Sequence, residues 1–414
     1  LAPPQPARAA QHATRRKTGL VSGGTVTVAP VIYREGSMPK SPLRIIISLL
    51  LLVLFGGAIW FAMRDQSGKV KAEQALAETI TLEGLISLDV ETYLKDPRVL
   101  KILADNKIQI NVTRIGSREM AAAVKPGMKT DFFFPSGVVA ASQIADAAKK
   151  AGVTTAGYNP FYTPMVVASW APVAKVLVNN GIAKPLNPAD PKVFGLNLQK
   201  LTELMLAKKR WKDLPGNEAY DVGRSLLVST TDVRKSNSAA MYLALTSYAV
   251  NGGELVTDQD TARKIAGKVV ELFKRQGYQE NYVNGNFDDY VSIGMGKTPL
   301  AFIYENQMVS YAISKKGIAP DMVLMYPVPT IFNKVVFVTA NEKSKVLGEL
   351  LSNNRELQKI AVEYGFRSSD VSLFSGEVKK TGLAISDRIT DVIDPPSYEV
   401  MAAMIDVITQ EMKQ

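Results

Sequence analysis

Apolar and polar positions along this chain follow three patterns in turn: an unbroken apolar run, then an alternation of strand-like and helix-like rhythms. The run is nineteen consecutive uncharged residues, Ile45 to Met63, held between Arg44 and Arg64. At ~1.5 Å per residue a helix of that length covers roughly 28 Å, close to the ~30 Å hydrocarbon core of a bilayer. Trp60, near its far end, suits a membrane interface. Residues 65–81 are polar and alanine-rich and read as a stalk. From there the pattern switches between the period of two and the period of about 3.6 that mark strands and helices. Residues 84–88 read as a buried strand. Asp96-Pro97 opens a helix through Val99, Leu100 and Leu103, with proline at the favoured first turn. Ile108, Ile110 and Val112 alternate as a strand does, Gly116-Ser117 begins a further helix, and 131–136 is a short apolar strand ending in a turn.

A second cycle begins with a strand over 164–168. It continues with a helix over 198–208, a strand over 225–229, a helix opening near Ser236, a helix over 257–276 and a buried strand over 300–304. Residues 322–338 are strand-like but carry Pro327 and Pro329, which remove ladder donors, so they are expected to cross between sheets and not to lie inside one. Helical segments over 344–364 and 398–412 close the chain, the last with Met401, Met404, Ile405, Ile408 and Met412 on one face. Strands alternating with helices predict an α/β fold with parallel sheets. There is no internal repeat and no heptad array.

Charge sharpens this picture. Residues 1–64 hold eight basic residues against Glu35 alone, +7 of the chain's +10, which leaves +3 for the 350 residues that follow. A Lys/Arg-rich flank before an apolar run stays on the cytoplasmic side. The expected location is therefore the bacterial inner membrane, single-pass, with the amino terminus cytoplasmic and the main part periplasmic. A cleaved signal peptide would have a shorter apolar core, of about 7–15 residues, and a small-residue cleavage site, which Trp60-Phe61-Ala62-Met63-Arg64 does not offer. The high net charge is a signal of topology and not of nucleic acid, since the larger part shows no basic stripe interleaved with aromatics. Cysteine is absent and the sole histidine is His12. That excludes disulfides, thiol nucleophiles, Ser-His-Asp and Cys-His catalysis after residue 64, and the usual zinc and copper sites. Binding is expected over catalysis, with no cofactor.

Three further motifs, in this order, carry a resemblance. Ser229-Thr230-Thr231-Asp232-Val233-Arg234-Lys235-Ser236-Asn237-Ser238 looks like a strand ending in a Thr-Asp turn and a serine-rich helix start. Gly296-Lys297-Thr298-Pro299-Leu300-Ala301-Phe302-Ile303-Tyr304-Glu305 is a strand ending in Tyr-Glu. Ile360-Ala361-Val362-Glu363-Tyr364-Gly365-Phe366-Arg367 is a late helix stopping at Gly-Phe-Arg. Together they resemble the extracellular solute-binding proteins with the type II periplasmic-binding fold, in particular the branch that includes oxyanion binders. The likeness covers about residues 82–414. It implies two α/β lobes, each with a parallel-dominated sheet, joined by two crossing strands, with a ligand in the cleft between them. Mapped onto this chain, residues 1–43 are a disordered basic cytoplasmic tail, 44–64 the transmembrane helix and 65–81 the stalk. Lobe one is 82–162 plus 330–414, and lobe two is 163–329, with crossings near 161–167 and 326–330. The retained apolar helix departs from the family's usual pattern of release or lipid tethering.

Candidate residues follow from helix starts and strand ends. Thr231, Asp232, Arg234, Ser236, Asn237 and Ser238 surround a helix start, where free backbone N–H groups, hydroxyls and a guanidinium suit an anion or carboxylate. The same residues also read as ordinary N-capping by Asp232 or Ser236 with Arg234 in solvent. Ser87, Gly116, Ser117 and Ser136 follow strands, where ligands of open α/β sheets bind, and equally suit caps and turns. Tyr304 and Glu305 end a strand: the tyrosine would line the ligand, and the glutamate would accept from an amine or brace a hinge. Gly294-x-Gly296-Lys297-Thr298 is set aside as a phosphate loop, because Val291 stands at its first glycine position and a strand follows it. Asp288 and Asp289 read as a solvated pair, and Asn111-Val112-Thr113 as a strand segment.

The expectation is a membrane-anchored protein that reversibly captures a small polar or anionic ligand. It would present that ligand to a transporter permease or to a membrane signalling or resistance complex. The alternative is an anchored sensor or scaffold that keeps the fold for protein–protein contact without a transported ligand.

Overall fold

Strand β1 (Ile80–Ile86) buries Leu82, Gly84 and Ile86, every second residue, as a strand with one face in a core must. The computed structural model to which it belongs describes residues 78–277, 279 and 284–413. After β1 come α1 (Leu88–Leu94), α2 (Pro97–Asp105), β2 (Ile108–Arg114), β3 (Phe132–Phe134), α3 (Val138–Lys150) and the long β4 (Ala156–Trp170). Next are α4 (Ala171–Asn179), β5 (Ala183–Pro185), β6 (Val193–Leu196), α5 (Leu198–Leu206), α6 (Asn237–Val250), α7 (Gln259–Lys274), α8 (Gly285–Ser292), β7 (Leu300–Tyr304), α9 (Glu305–Lys315) and β8 (Met322–Pro327). The chain returns through β9 (Thr330–Thr339), α10 (Lys345–Asn353), α11 (Arg355–Glu363), α12 (Val371–Lys379), β10 (Val392–Ile393) and α13 (Tyr398–Glu411). Pro97 opens α2 as its position predicts, and the Asp96 carboxylate accepts from the Arg98 N–H at 2.8 Å.

The strands run in the order β2-β1-β3-β9-β4-β8-β6-β5, with β7 added to β4 and β10 to β9. The β1–β2, β1–β3 and β6–β8 pairs are parallel, whereas β9 and β4 enter antiparallel. Strand β4 is shared. Its residues 156–164 pair with β9, and from Met165 onward it pairs with β7 and β8. The fold is thus a mixed α/β arrangement of two lobes, less dominated by parallel pairing than expected, because the two crossing strands run against their neighbours.

In the first lobe the period-two rule sorts side chains to opposite faces. Phe132, Phe134 and Phe337 join one core with Leu347 and Ile360, while Phe133, Val336 and Val338 join another with Ile144. The second lobe has one larger core around Val166, Tyr242, Phe273, Phe302 and Leu324. Helix α6 is buried along almost its whole length, so its ends and not a polar face meet the surroundings. Helix α13, inside the segment 330–414 expected in lobe one, packs against α7 and α6 and also touches α3.

Several expectations change. Ile80 and Thr81, read as stalk, open β1. Gly116-Ser117 starts no helix; a turn leads to a short 3-10 helix, Met120–Ala123. Residues 225–229 make only isolated bridges, Arg210 with Ser225 and Ser229 with Ala301. Pro327 and Pro329 stand at and just beyond the end of β8, so β9 is free to take a central place between β3 and β4. The helix expected over 344–364 breaks at Asn354, whose side chain accepts from the Leu357 N–H at 3.0 Å and starts α11. Asp288 and Asp289, read as a solvated pair, lie on α8, where Asp289 pairs with Lys297 at 2.6 Å.

The expected placement as a single-pass inner-membrane protein with a cytoplasmic amino terminus is corrected. Among the described residues no helix is long and apolar enough to cross a membrane. The run 45–63 lies outside those residues, as do the basic tail 1–43 and most of the stretch read as stalk.

Candidate ligand-binding cleft

The three parallel strands of the first lobe end on one side, and each hands a polar segment to a cavity. Ser87 follows β1, Gly116 and Ser117 follow β2, and Ser136 follows β3. The ladder holds these ends in register: Ser87 N–H donates to Phe134 O at 3.0 Å and Ile115 N–H to Ile86 O at 3.1 Å. The Ser117 hydroxyl accepts from the Ser136 N–H at 2.9 Å, and the Ser136 hydroxyl donates to an Asp89 carboxylate oxygen at 2.5 Å. The Ser87 hydroxyl is buried and has no partner among the described residues.

The second lobe supplies the facing wall from the start of α6. Ser236 is its N-cap by position but gives no side-chain cap. Its hydroxyl is instead paired with that of Ser238 at 2.9 Å, which is paired in turn with Thr231 at 2.8 Å. The first-turn N–H groups of α6 are therefore left without a capping oxygen, which leaves the helix's positive end to its surroundings. Asn237 donates to the Tyr304 hydroxyl at 3.0 Å and to Asn333 at 3.1 Å, fixing the helix start against β7 and β9. Gly137 makes this approach possible. It has φ of 80°, and a Cβ there would lie 2.9 Å from Asn237 and 3.0 Å from Asn333.

The cavity between these walls measures about 590 Å³. Lys235 and Arg114 bring positive charge to its rim. Arg114 is tied to Glu91 at 3.0 Å, and the Lys235 ammonium has no hydrogen bond or ion pair among the described residues. Two carboxylates oppose them. Burial pushes the Asp89 carboxyl up to about 6, against the Ser136 hydroxyl, which lowers it. Burial and the neighbouring Asp289 push Asp288 up as well. The cavity thus offers donors and cations together with carboxylate acceptors, so it suits a ligand bearing both an anionic group and hydrogen-bond donors. Among the described residues no group of three or more carboxylates or histidines could hold a metal ion.

Of the residues expected at the site, Ser87, Gly116, Ser117, Ser136, Ser236, Asn237 and Tyr304 line this cavity. Thr231 and Ser238 lie beneath it in the hydroxyl chain. Asp232 and Arg234 turn to each other, with Arg234 Nε 2.8 Å and Nη2 2.5 Å from the carboxylate. Burial alone would raise Asp232; the Arg234 hydrogen bonds prevail and hold it below the usual range. Arg234 is thus spent on its neighbour and does not reach the cavity. Glu305 does not face the cavity either. It is fully buried and binds Arg367 through two bonds of 2.6 and 2.8 Å, with the Tyr326 hydroxyl donating to the same carboxylate. Arg367 in turn is tied to β4, where it and Tyr162 exchange backbone hydrogen bonds of 2.9 Å.

Asp89, Arg114, Lys235 and Asn284 line the cavity without having been singled out, and so does Asp288, which was read only as one of a solvated pair. Asp89 had a readable signal: an acid two residues past a strand-ending serine sits in the first turn of a helix if one starts there. For Lys235 the signal was adjacency to the Ser236 helix start.

No protein-family model matches this chain, and no curated protein does. Among solved structures it is similar to solute-binding and transporter proteins. One is an ABC transporter protein from Clostridium perfringens, at 14% identity and a TM-score of 0.48, covering 80% of this chain and 98% of that one. A second is the sulfate-binding protein SubI from Mycobacterium tuberculosis, at 13% identity and a TM-score of 0.42, covering 78% and 96%. A third is the Trichodesmium protein IdiA (FutA), solved with iron and citrate, at 11% identity and a TM-score of 0.42, covering 81% and 98%. The architecture described above stands on the chain's own strand pairing, and the chemistry of the cleft on its own residues.

Proposed function

We propose that this protein is a solute-binding protein that captures a small polar or anionic ligand in the cleft between its lobes. One observation carries the reading: the uncapped start of α6 faces the strand-end serines across a cavity rimmed by Arg114 and Lys235. Unpaired N–H groups at a helix start, hydroxyls and nearby cations are the chemistry that holds an oxyanion or carboxylate. The ligand touches both lobes, so its capture fixes their relation. The loaded form is then what a transporter permease or a signalling complex would recognise. The reading involves no bond-breaking step and no cofactor.

The test is thermal shift and titration calorimetry of the full chain against phosphate, sulfate, carboxylates, amino acids and sugars. A ligand bound only by the native state stabilises it by about 2.7 kcal/mol at a hundred times its Kd, so a true ligand raises the melting temperature in proportion to log concentration. Ser236→Pro, which blocks the helix start, is expected to abolish the shift. A flat response across the whole panel would overturn the reading in favour of a scaffold that binds other proteins.

A further inference from the structure

A second cavity, about 310 Å³, opens from the cleft and shares with it Leu88, Asp89, Asn284, Asp288 and Tyr304. Its chemistry is different. Among the described residues no lysine or arginine lines it. Its walls are rings, with Phe287 and Tyr311 meeting edge to face at 6.0 Å, and uncharged polar side chains such as Ser310 and Asn306. The side-chain carbonyl of Asn306 is buried and has no donor among the described residues. Asp89 and Asp288 stand at the junction, between the cationic cavity and the neutral one.

The joined space is too long, and too divided in character, for a bare tetrahedral oxyanion. Carboxylates at the junction repel a second negative charge but accept strongly from hydroxyl groups. Aromatic walls beyond them take the C–H faces of a ring or chain. An unpaired carbonyl is a costly buried acceptor that a ligand hydroxyl, with a small side-chain adjustment, would satisfy. Resting on the solute-binding reading above, we propose that the ligand is a polyhydroxylated organic anion, charged at one end only. Its anionic group lies at the α6 start with Arg114 and Lys235, and its hydroxyl-bearing body runs past Asp89 and Asp288 into the second cavity.

Calorimetry on the full chain with inorganic phosphate, a hexose phosphate, a hexuronate and the free hexose separates the possibilities. The expected result is that the hexose phosphate or the hexuronate binds at least tenfold more tightly than phosphate, with the free hexose weakest. Ser310→Trp, which fills the second cavity, and Tyr311→Ala, which removes its wall, are each expected to weaken the organic anion at least tenfold and to leave phosphate unchanged. Circular dichroism checks that both variants fold, and either one suffices. Phosphate binding as tightly as both organic anions, or variants that weaken phosphate equally, would overturn this proposal and leave the solute-binding reading intact. Binding of none of these four probes would overturn this proposal, and the solute-binding reading falls with it only if the wider panel is flat as well.

Discussion

Glu305 and Arg367 are buried almost completely, with side-chain exposures of 0% and 3%, so neither charge has water to fall back on. Arg367 also donates to the carbonyls of Ser386 and Asp387 at 2.9 Å and lies 4.2 Å from the centre of the Phe374 ring. Removing one partner strands the other, which typically costs about 3–5 kcal/mol. Glu305→Gln is expected to destabilise by that order in urea unfolding at neutral pH, and a loss below about 1 kcal/mol would show the pair to be dispensable. Asp89 behaves in the opposite sense. Its folded pKa, about 6, is above the ordinary 3.8. The folded state therefore holds the proton more tightly, and this group's contribution is fully present at low pH and lost as pH rises from about 4 through about 6. Asp89→Asn is expected to remove that loss, gaining up to about 3 kcal/mol well above pH 6 and nothing near pH 4. Melting curves of the two proteins that stay parallel from pH 4 to 8 would contradict this. In the unmodified protein, anion affinity should rise as pH falls through about 6, because a repelling carboxylate becomes neutral.

At the scale of elements, the start of α6 depends on a residue outside it. Gly137 combines a positive φ with side chains at van der Waals limits, so Gly137→Ala meets both backbone strain and displaced Asn237 and Asn333. The expected cost is about 1–3 kcal/mol, with weaker ligand binding because Asn237 anchors the helix start. Denaturant unfolding together with calorimetry would detect both, and unchanged values would refute the anchoring role. The same elements show what was legible beforehand. Ser87, Ser117 and Ser136 could be placed because apolar runs ending in small polar residues mark strand ends, and strand ends of one hand gather on one side. Helix α13 could be placed because Met401, Met404, Ile405 and Ile408 recur at helical spacing, and all four are buried. Arg234 and Glu305 could not be placed. Their environments are set by pairing: one partner is two residues away, the other 62, and local pattern does not say which way such a side chain turns. The central position of β9 was hidden for a related reason, since a proline at a strand's edge and one in its middle look alike in sequence.

At the scale of the whole molecule, Arg118 is one of the side chains that join the lobes. From the loop after β2 it donates to the carbonyls of Val233 and Arg234, at 3.1 and 3.3 Å, in the turn that precedes α6. Arg118→Ala removes a bond between lobes without opening a core. It is expected to raise the ligand's Kd about fivefold, equivalent to ~1 kcal/mol, while the unfolding midpoint moves little. A large fall in stability with unchanged affinity would assign Arg118 to folding instead. Strand β4 has a different kind of consequence. A single ribbon gives its first nine residues to one sheet and the rest to the other, and the ring of Phe337, supplied by the returning chain, stacks 4.9 Å from Phe132. No cut at one peptide bond can therefore free a self-sufficient half. A gene truncated after residue 164 would encode a fragment missing the strand that closes its own interior, and evolution could lengthen the rim loops far more easily than it could shuffle either lobe into another protein.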